Sequence, residues 1–446
     1  MKTQENSFLS NSIITLTRQV VSIVIGLLIL FIMAKGLGPS GQGKYTLITY
    51  LPLMLMTFLN FGFNSSTVFF VSRKKVSLNS AFSTNIIIGL GLAIVSMLIG
   101  VFVIYLLSET KFHEIDTSIL FISLLALPGM FLMIFLQTIF QGIQDFKAFN
   151  SALVVQQFTT LFFLVLFLFL VDIHLLGAIL SFILGYVCAV LYMIYYLIKY
   201  SRASFSFKNF SSEHMKEMLI YGIKAHVSNI MTFLNYRLDV LLLGYFLTNS
   251  AVGVYTVAVN LGERLSIFSQ SFSQVLLPRI ASSDIEEDRN KITSMLSRFI
   301  LVLVIAVSIL IILFSDFVIH LFLDQEYMKS SLLLKLLLPG LTVLTVEKIL
   351  SNDLAGRGMP ELNMYVSFVN VVLNVVLNLI FIPAIGVTGA AISSSITYFV
   401  SFIIKSFIYK SVTKQKFSDF LLIKKEDIAL LLKIYRRFRY RSVVNK

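Results

Sequence analysis

Apolar residues run through this chain in stretches of about 20, the length a helix needs to cross a bilayer core, and polar residues gather mostly between them. Twelve stretches are predicted as spanning helices: 10–34, 43–71, 80–107, 117–141, 148–171, 175–199, 216–246, 251–280, 293–315, 330–355, 361–383 and 386–409. The sequence has no long alternating segments of the kind a lipid-facing barrel requires. Helices are then the remaining spanning structure, because backbone polar groups in hydrocarbon must be bonded internally. The expected fold class is an all-α integral membrane protein. The first run follows MKTQENSFLSNS and ends at AKGLGPSG with no A-x-A site, so it reads as a membrane helix rather than a cleaved signal.

Composition sharpens this reading. Of 446 residues, 57% are hydrophobic and 13% charged, more apolar surface than a soluble chain of this size can hide. The net charge of +13 raises nucleic acid as a partner, but its distribution argues against that. Cations collect in alternate loops, at Arg73, Lys74 and Lys75, at Lys199, Arg202 and Lys208, at Arg289, Lys291 and Arg298, and in a tail from Lys405. The loops between them lean acidic, with Glu109, Glu114, Asp116, Asp172, Asp316, Asp324 and Glu326. This is the positive-inside pattern, with Lys35, Lys44, Lys111 and Lys329 as minor exceptions. An even number of spans then puts both termini on the basic, cytoplasmic side. Cys188 is alone in an apolar run and suggests neither a disulfide nor a metal.

The polar, Ser-rich segment 201–217 divides the chain nearly in half, and the halves resemble each other. A shift of 210 carries GKYT at 43–46 onto GVYT at 253–256, Tyr50 onto Asn260, Asn60 onto Gln270 and Asn64 onto Gln274. QG at 141–142 matches AG at 355–356, and GAILS at 177–181 matches GAAIS at 389–393. The expected organisation is a parallel repeat of two six-helix lobes, 1–212 and 213–410, around a central cavity. Residues 411–446 form a basic tail whose leucines share one helical face, read either as a helix on the inner membrane surface or as a solvated tail.

Several helices carry polar stripes. At about 100° per residue, Lys224, Ser228, Thr232, Asn235 and Asp239 fall on one face of the seventh helix, with His226 and Arg237 nearly opposite. Asn11, Thr15, Arg18 and Ser22 share a face of the first helix. Thr46, Tyr50, Thr57, Asn60 and Asn64 align on the second, and Thr256, Asn260, Glu263, Gln270 and Gln274 on the eighth. Charge within a membrane helix costs about 2.5–3.5 kcal/mol at the bilayer centre, so these faces are expected to meet a wet cavity rather than lipid. The candidate substrate-binding residues are Arg18, Lys224, Asn60, Asn64, Tyr50, Gln270, Gln274 and Arg237, and the candidate ion-coupling carboxylates are Asp239 and Glu263. Interhelical bonding is the alternative for the amides, and pairing within its own lobe is the alternative for Arg237. The asparagine stripe Asn363, Asn370, Asn374 and Asn378, and the small-residue ridge Gly386, Ala390 and Ser394, read as helix packing. For the adjacent Glu347 and Lys348, both local pairing and the cavity stay open.

No Walker loop or local catalytic signature is present, and His113, Glu114 and Asp116 fit no standard metal spacing. GLGPSGQGKYTL near 36–47, QGIQDFKAFN at 141–150, FLNYRLDVLLLGYFLTNSAVGVYTVAVNLGERL from 233, VLLPRIAS at 275–282 and NVVLNLIFIPAIGVTGAAISSSI from 374 cover almost the whole chain. In order and spacing they resemble the polysaccharide exporters of the multidrug/oligosaccharidyl-lipid/polysaccharide superfamily, and among them the O-antigen or capsule repeat-unit flippases. The resemblance implies two rocking lobes and a polyprenyl-diphosphate oligosaccharide as substrate, and polysaccharide polymerase machinery is expected as a further partner. The carboxylates Asp239 and Glu263 point to coupling to H⁺ or Na⁺, with no other cofactor expected. The resemblance also implies phosphate recognition at Arg18, where such flippases carry a first-helix arginine, and it includes the R-x-D of Arg237 and Asp239. Three other readings are a drug or small-cation exporter of the same superfamily, a lipid II flippase, and a membrane-embedded polymerase or ligase. Lipid II flippases typically carry two further helices, which are not seen here. The polymerases and ligases usually have a large outer loop, whereas the longest here, around 108–117, is small.

Overall fold

The computed structural model describes the backbone of residues 2–107, 115–270, 280 and 285–427, and side chains from Arg18 onward except those of His214, Lys224, Ala225 and Ser228. The regular structure among the described residues is helical. In chain order the helices are α1 (Lys2–Leu59), α2 (Phe63–Ser72), α3 (Leu78–Leu107), α4 (Thr117–Leu124), α5 (Ala126–Gly142), α6 (Phe146–Val165) and α7 (His174–Lys199). They continue with α8 (Ser212–Phe246), α9 (Asn249–Gly262), α10 (Glu286–Phe322), α11 (Met328–Gly356), α12 (Pro360–Ile385), α13 (Val387–Thr413) and the short α14 (Phe417–Leu421). The expected spans fall largely on helical backbone, the second broken at residues 60–62 and the eighth described as far as residue 270. Among the described residues, eight helices are long and apolar enough to cross a membrane by length and composition.

Helix boundaries follow local chemistry. The first two expected spans run on as α1, but Gly38 (φ 64°, ψ 177°) breaks it into two rods. Glycine tolerates that left-handed φ, and Pro39 suits the first position of the second rod, where its missing N–H is no loss. The second rod ends at Asn60, whose Oδ1 accepts from Gly62 N at 2.8 Å while its Nδ2 donates to the Thr57 carbonyl at 3.0 Å. Asp116 caps α4 through Ser118 N at 2.8 Å, and Asp145 caps α6 through Ala148 N at 2.9 Å, each satisfying an N–H the helix leaves open.

The chain forms two compact units. The first comprises residues 1–261, 316–333 and 375–390. Its core packs Phe82, Leu136 and Phe140 with Met193 and Leu197, and a second cluster joins Phe63, Phe131 and Phe135 to Met218 of α8. In lipid such packing is held by close van der Waals fit and not by exclusion of water. The second unit comprises residues 262–315, 334–374 and 391–446. Here Ser308 bonds Thr342 at 2.7 Å, Asn370 donates to Ser401 at 2.7 Å, and Gly340 N reaches Ser395 Oγ at 3.1 Å.

Two cations expected in basic loops or tail lie elsewhere. Lys405 is buried within α13, paired with Glu347 of α11 at 3.6 Å. Arg298 is buried in α10 and holds Asp427 through two 2.6 Å bonds. In one dimension a charge near the end of an apolar run looks like free surface charge, because its partner stands on another element. The eighth-helix stripe is also interrupted. The α-helical turns of α9 stop at Gly262, and Glu263–Leu265 form a 3₁₀ turn. A 3₁₀ turn advances about 120° per residue and rotates the residues beyond it off the earlier face.

Candidate functional site

The repeat becomes physical where α1 crosses α9 inside the first unit. A Cβ on Gly43 would collide with the Asn249 carbonyl oxygen, and one on Gly253 with that of Pro39. Each such Cβ would also stand 3.1 Å from the backbone nitrogen of the other glycine. Gly43 and Gly253 are 210 residues apart, as are Pro39 and Asn249. The contact is therefore reciprocal, as at an interface with a two-fold axis, and that axis passes between the two glycines. Equivalent hydrogen bonds repeat as well: Thr46 donates to the Gln42 carbonyl at 2.9 Å and Thr256 to the Val252 carbonyl at 2.8 Å. Beside this crossing the buried Tyr327 donates to Gln42 Oε1 at 2.7 Å.

A second contact joins the same halves farther along. Gly62 and Gly222 bring α2 and α8 together so closely that a Cβ on Gly222 would lie 2.6 Å from the Gly62 carbonyl oxygen. Ser66 donates to the Met218 carbonyl at 2.5 Å, His226 Nε2 meets the Phe58 carbonyl at 2.9 Å, and Phe69 stacks on Tyr221 at 4.3 Å. Fifteen residues of helix separate Gly43 from Phe58, so the two contacts stand about 22 Å apart along the second rod of α1.

Between them lie candidate residues. Tyr50 is half-buried, and the Arg237 guanidinium stands over its ring at 5.8 Å, so Arg237 of α8 meets the other half of the sequence. Asp239 is buried; its Oδ2 accepts from Tyr255 Oη and its Oδ1 from Val240 N at 2.8 Å. Under the 210 shift Asp239 corresponds to Ile29, and Arg18 to Ser228. The charged groups thus break a symmetry that the backbone crossing keeps. Arg18 is half-buried on α1, and its Nε has no hydrogen-bond partner among the described residues. Asn60 has both polar groups engaged in the helix break, while Asn64 is half-buried on α2 with Oδ1 unpartnered among the described residues. In the second unit Glu263 is half-buried, and Gln270 is exposed with Nε2 donating to Ser266 at 3.0 Å. The Lys224 side chain, Gln274, His113, Glu114 and the tail beyond Asp427 lie outside the described residues.

Sequence reasoning misses one buried polar cluster. Lys405 Nζ donates to Asn363 Oδ1 at 2.5 Å, Ser351 donates to Glu347 Oε1 at 2.8 Å, and Asn363 Nδ2 donates to the Ser351 carbonyl at 2.8 Å. This ties α11, α12 and α13 and answers where Glu347 points. The signal is available in part, since Asn363 and Lys405 both interrupt apolar helices. Among the described residues no group of three His, Cys, Asp or Glu is placed to hold a metal.

The polysaccharide biosynthesis protein model matches residues 8–284, more than half of the chain. The chain belongs to this family. A MatE model also matches residues 225–380. Among proteins similar to this chain, a probable low-salt glycan biosynthesis flippase of Haloferax volcanii is 27% identical over 49% of this chain. That match spans 47% of the relative's own length, about half. An uncharacterized membrane protein of Methanocaldococcus jannaschii is 23% identical over 86% of this chain and 79% of its own. Of solved structures, the lipid II flippase MurJ in an inward closed conformation superposes with TM-score 0.74 at 17% identity, covering 96% of this chain and 93% of that one. An inward-facing multidrug resistance MATE transporter of the MOP superfamily gives 0.72 at 18%, covering 90% and 98%. These likenesses establish the fold, an all-α multi-pass membrane fold shared with a MATE transporter and a lipid II flippase.

Proposed function

We propose that this protein is a flippase that carries polyprenyl-diphosphate-linked oligosaccharide repeat units across a bacterial cytoplasmic membrane, with both termini in the cytoplasm. It works as a transporter and not as an enzyme. Arg18 carries the reading: it is a guanidinium within a membrane helix of a polysaccharide biosynthesis protein, with Nε unpartnered among the described residues. An isolated charge costs tens of kcal/mol to move into hydrocarbon by idealised Born estimates, so a diphosphate with its hydroxyl-rich sugars needs a polar, cationic route. Arg18 and Lys224 supply charge-assisted hydrogen bonds to phosphate, Arg237 and Tyr50 frame the route, and Asn64, Gln270 and Gln274 meet sugar hydroxyls. The polyprenyl tail stays in lipid.

Alternating access arises if residues 1–212 and 213–410 rock as lobes. The crossing at Gly43 and Gly253 and the contact at Gly62 and Gly222 then open in turn. Asp239 or Glu263 couples the cycle to H⁺ or Na⁺, since a carboxylate in a low-dielectric setting changes its protonation as access alternates. Polysaccharide polymerase machinery receives the product. Translocation of a polyprenyl-diphosphate oligosaccharide in vesicles tests the reading: Arg18→Ala and Lys224→Ala should each depress it, and intact transport in both would remove the cationic route. Transport indifferent to pH, sodium and membrane potential would remove the coupling.

The MatE match over 225–380 and the buried Asp239 favour a second reading, a drug or small-cation exporter. Drug sensitivity of a deletion strain with normal surface glycan would select it.

A further inference from the structure

Two short segments in the first unit carry six cations and no carboxylate: Arg73–Lys75, directly after α2, and Lys199, Arg202 and Lys208, directly before α8. All six are exposed. The second segment is held firmly. Ala203 is buried with its N–H on the Leu197 carbonyl at 2.9 Å, Ser204 N donates to Asn79 Oδ1 at 2.9 Å, and Ser206 N donates to Ser83 Oγ at 3.1 Å. Phe82 of α3 meets Phe205 edge-on at 6.5 Å. The loop is thus fastened to the first turns of α3, four residues from Lys75, a reach of at most about 14 Å.

What this surface displays is mixed. Phe207 is 76% exposed beside Lys208, and Tyr200 is exposed beside Lys199. Lys199 Nζ donates to Tyr195 Oη at 2.6 Å, Arg73 stands over Phe69 at 4.7 Å, and Lys75 over Phe70 at 5.8 Å. α3 and α7 are both candidate spans, and the surface sits at their ends, where hydrocarbon gives way to headgroups. Exposed rings interleaved with cations at that level match an anionic bilayer surface: rings enter the interface and cations take phosphate. The exposed Glu213 and Glu217 stand on the first turns of α8, with Lys216 between them, and bound the surface on that side.

We propose that Arg73–Lys75 and the 199–208 loop form one docking surface for anionic phospholipid headgroups of the cytoplasmic leaflet. It has a mechanical consequence. Arg73 continues α2, which starts just after Gly62 and carries Ser66 and Phe69, and Lys208 leads into α8, which carries Met218, Tyr221 and Gly222. Headgroups bridging the two cationic segments hold together the two helices that make the contact at Gly62 and Gly222. Lipid composition thereby biases this closure.

The test uses full-length protein in vesicles of phosphatidylcholine with phosphatidylglycerol, and native mass spectrometry after extraction. Wild type should retain phosphatidylglycerol preferentially. Each cation near the surface contributes roughly a fivefold factor, so Arg73→Gln/Lys74→Gln/Lys75→Gln and Lys199→Gln/Arg202→Gln/Lys208→Gln should each weaken retention roughly 100-fold. Lys199→Arg/Lys208→Arg should keep it. Unchanged retention in both glutamine variants would overturn the surface, and displacement by inorganic phosphate would show a free-anion site instead of a membrane one. In a Cys188→Ser background, Phe69→Cys/Tyr221→Cys should cross-link faster in phosphatidylglycerol than in phosphatidylcholine vesicles. Equal rates would overturn the link to closure. Both readouts are independent of the transported substrate.

Discussion

Replacing Lys405 with methionine removes one partner of the ion pair buried among α11, α12 and α13. Glu347 then keeps only the 2.8 Å bond from Ser351, and Asn363 Oδ1 loses its donor. Removing one member of a buried pair costs about 3–5 kcal/mol, chiefly because the survivor remains charged in a low-dielectric place. Two features favour the lower end. The Lys405–Glu347 separation of 3.6 Å is longer than a direct charge-assisted bond, and the Ser351 bond persists. The expected loss is therefore about 3 kcal/mol. At an unfolding entropy of about 2.1 cal/mol/K per residue over the whole chain, this lowers the midpoint by roughly 3 °C. Replacing both partners, in Lys405→Met/Glu347→Leu, leaves no orphan charge and should recover to within about 1 kcal/mol of wild type. Thermal unfolding in detergent, followed by circular dichroism across wild type, both single variants and the double, measures the coupling. Additive losses in the double, or a Lys405→Met cost under about 1 kcal/mol, would refute the view that this pair stabilises by mutual neutralisation.

Three further outcomes are expected. The Arg298 hydrogen bonds hold the Asp427 carboxyl below its ordinary value. The folded value is the lower one, so its stabilisation is present above about pH 4 and lost as pH falls through the folded value; a spin label at Ser418→Cys in a Cys188→Ser background should mobilise only under that acidification, and in Asp427→Asn at every pH. Gly43→Ala and Gly253→Ala should cost similar amounts, about 1–3 kcal/mol each, by thermal unfolding, whereas Gly91→Ala, which meets nothing within 4 Å, should not destabilise; clearly unequal costs would contradict the two-fold contact. Tyr255→Phe removes the Tyr255 hydroxyl from Asp239 Oδ2 and should shift the pH or sodium dependence of transport more than its maximal rate; unaltered dependence would free Asp239 from the coupling role.

Hydropathy locates the helices because membrane spans are long and composition alone marks them. GLGPSG also announces a break, although the backbone carries α1 through it with a kink at Gly38 and no loop. Tertiary partners are less legible. Lys405 reads as the start of a basic tail because Glu347 and Asn363 belong to helices far away in sequence. The Asn60 stripe position is a local cap, a role that its place two residues before Gly62 foreshadows. The eighth-helix stripe fails at Glu263–Leu265 because a uniform turn angle does not hold across a change of helix type. The 210 shift discloses equivalence between Gly43 and Gly253, but equivalence does not imply touching; only the folded chain places the symmetry axis between them.

That axis leaves a mark on how the halves have drifted apart. A side chain added at either glycine strikes the main chain of the opposite half, so neither copy has freedom at this point that the other lacks. Elsewhere one half has an aspartate where its counterpart has an isoleucine, and one has an arginine where the other has a serine. At the second contact the halves are not equivalent, since Gly62 corresponds to Phe272 and Gly222 to Ser12, so only the crossing at Gly43 and Gly253 sets the same steric limit on both copies.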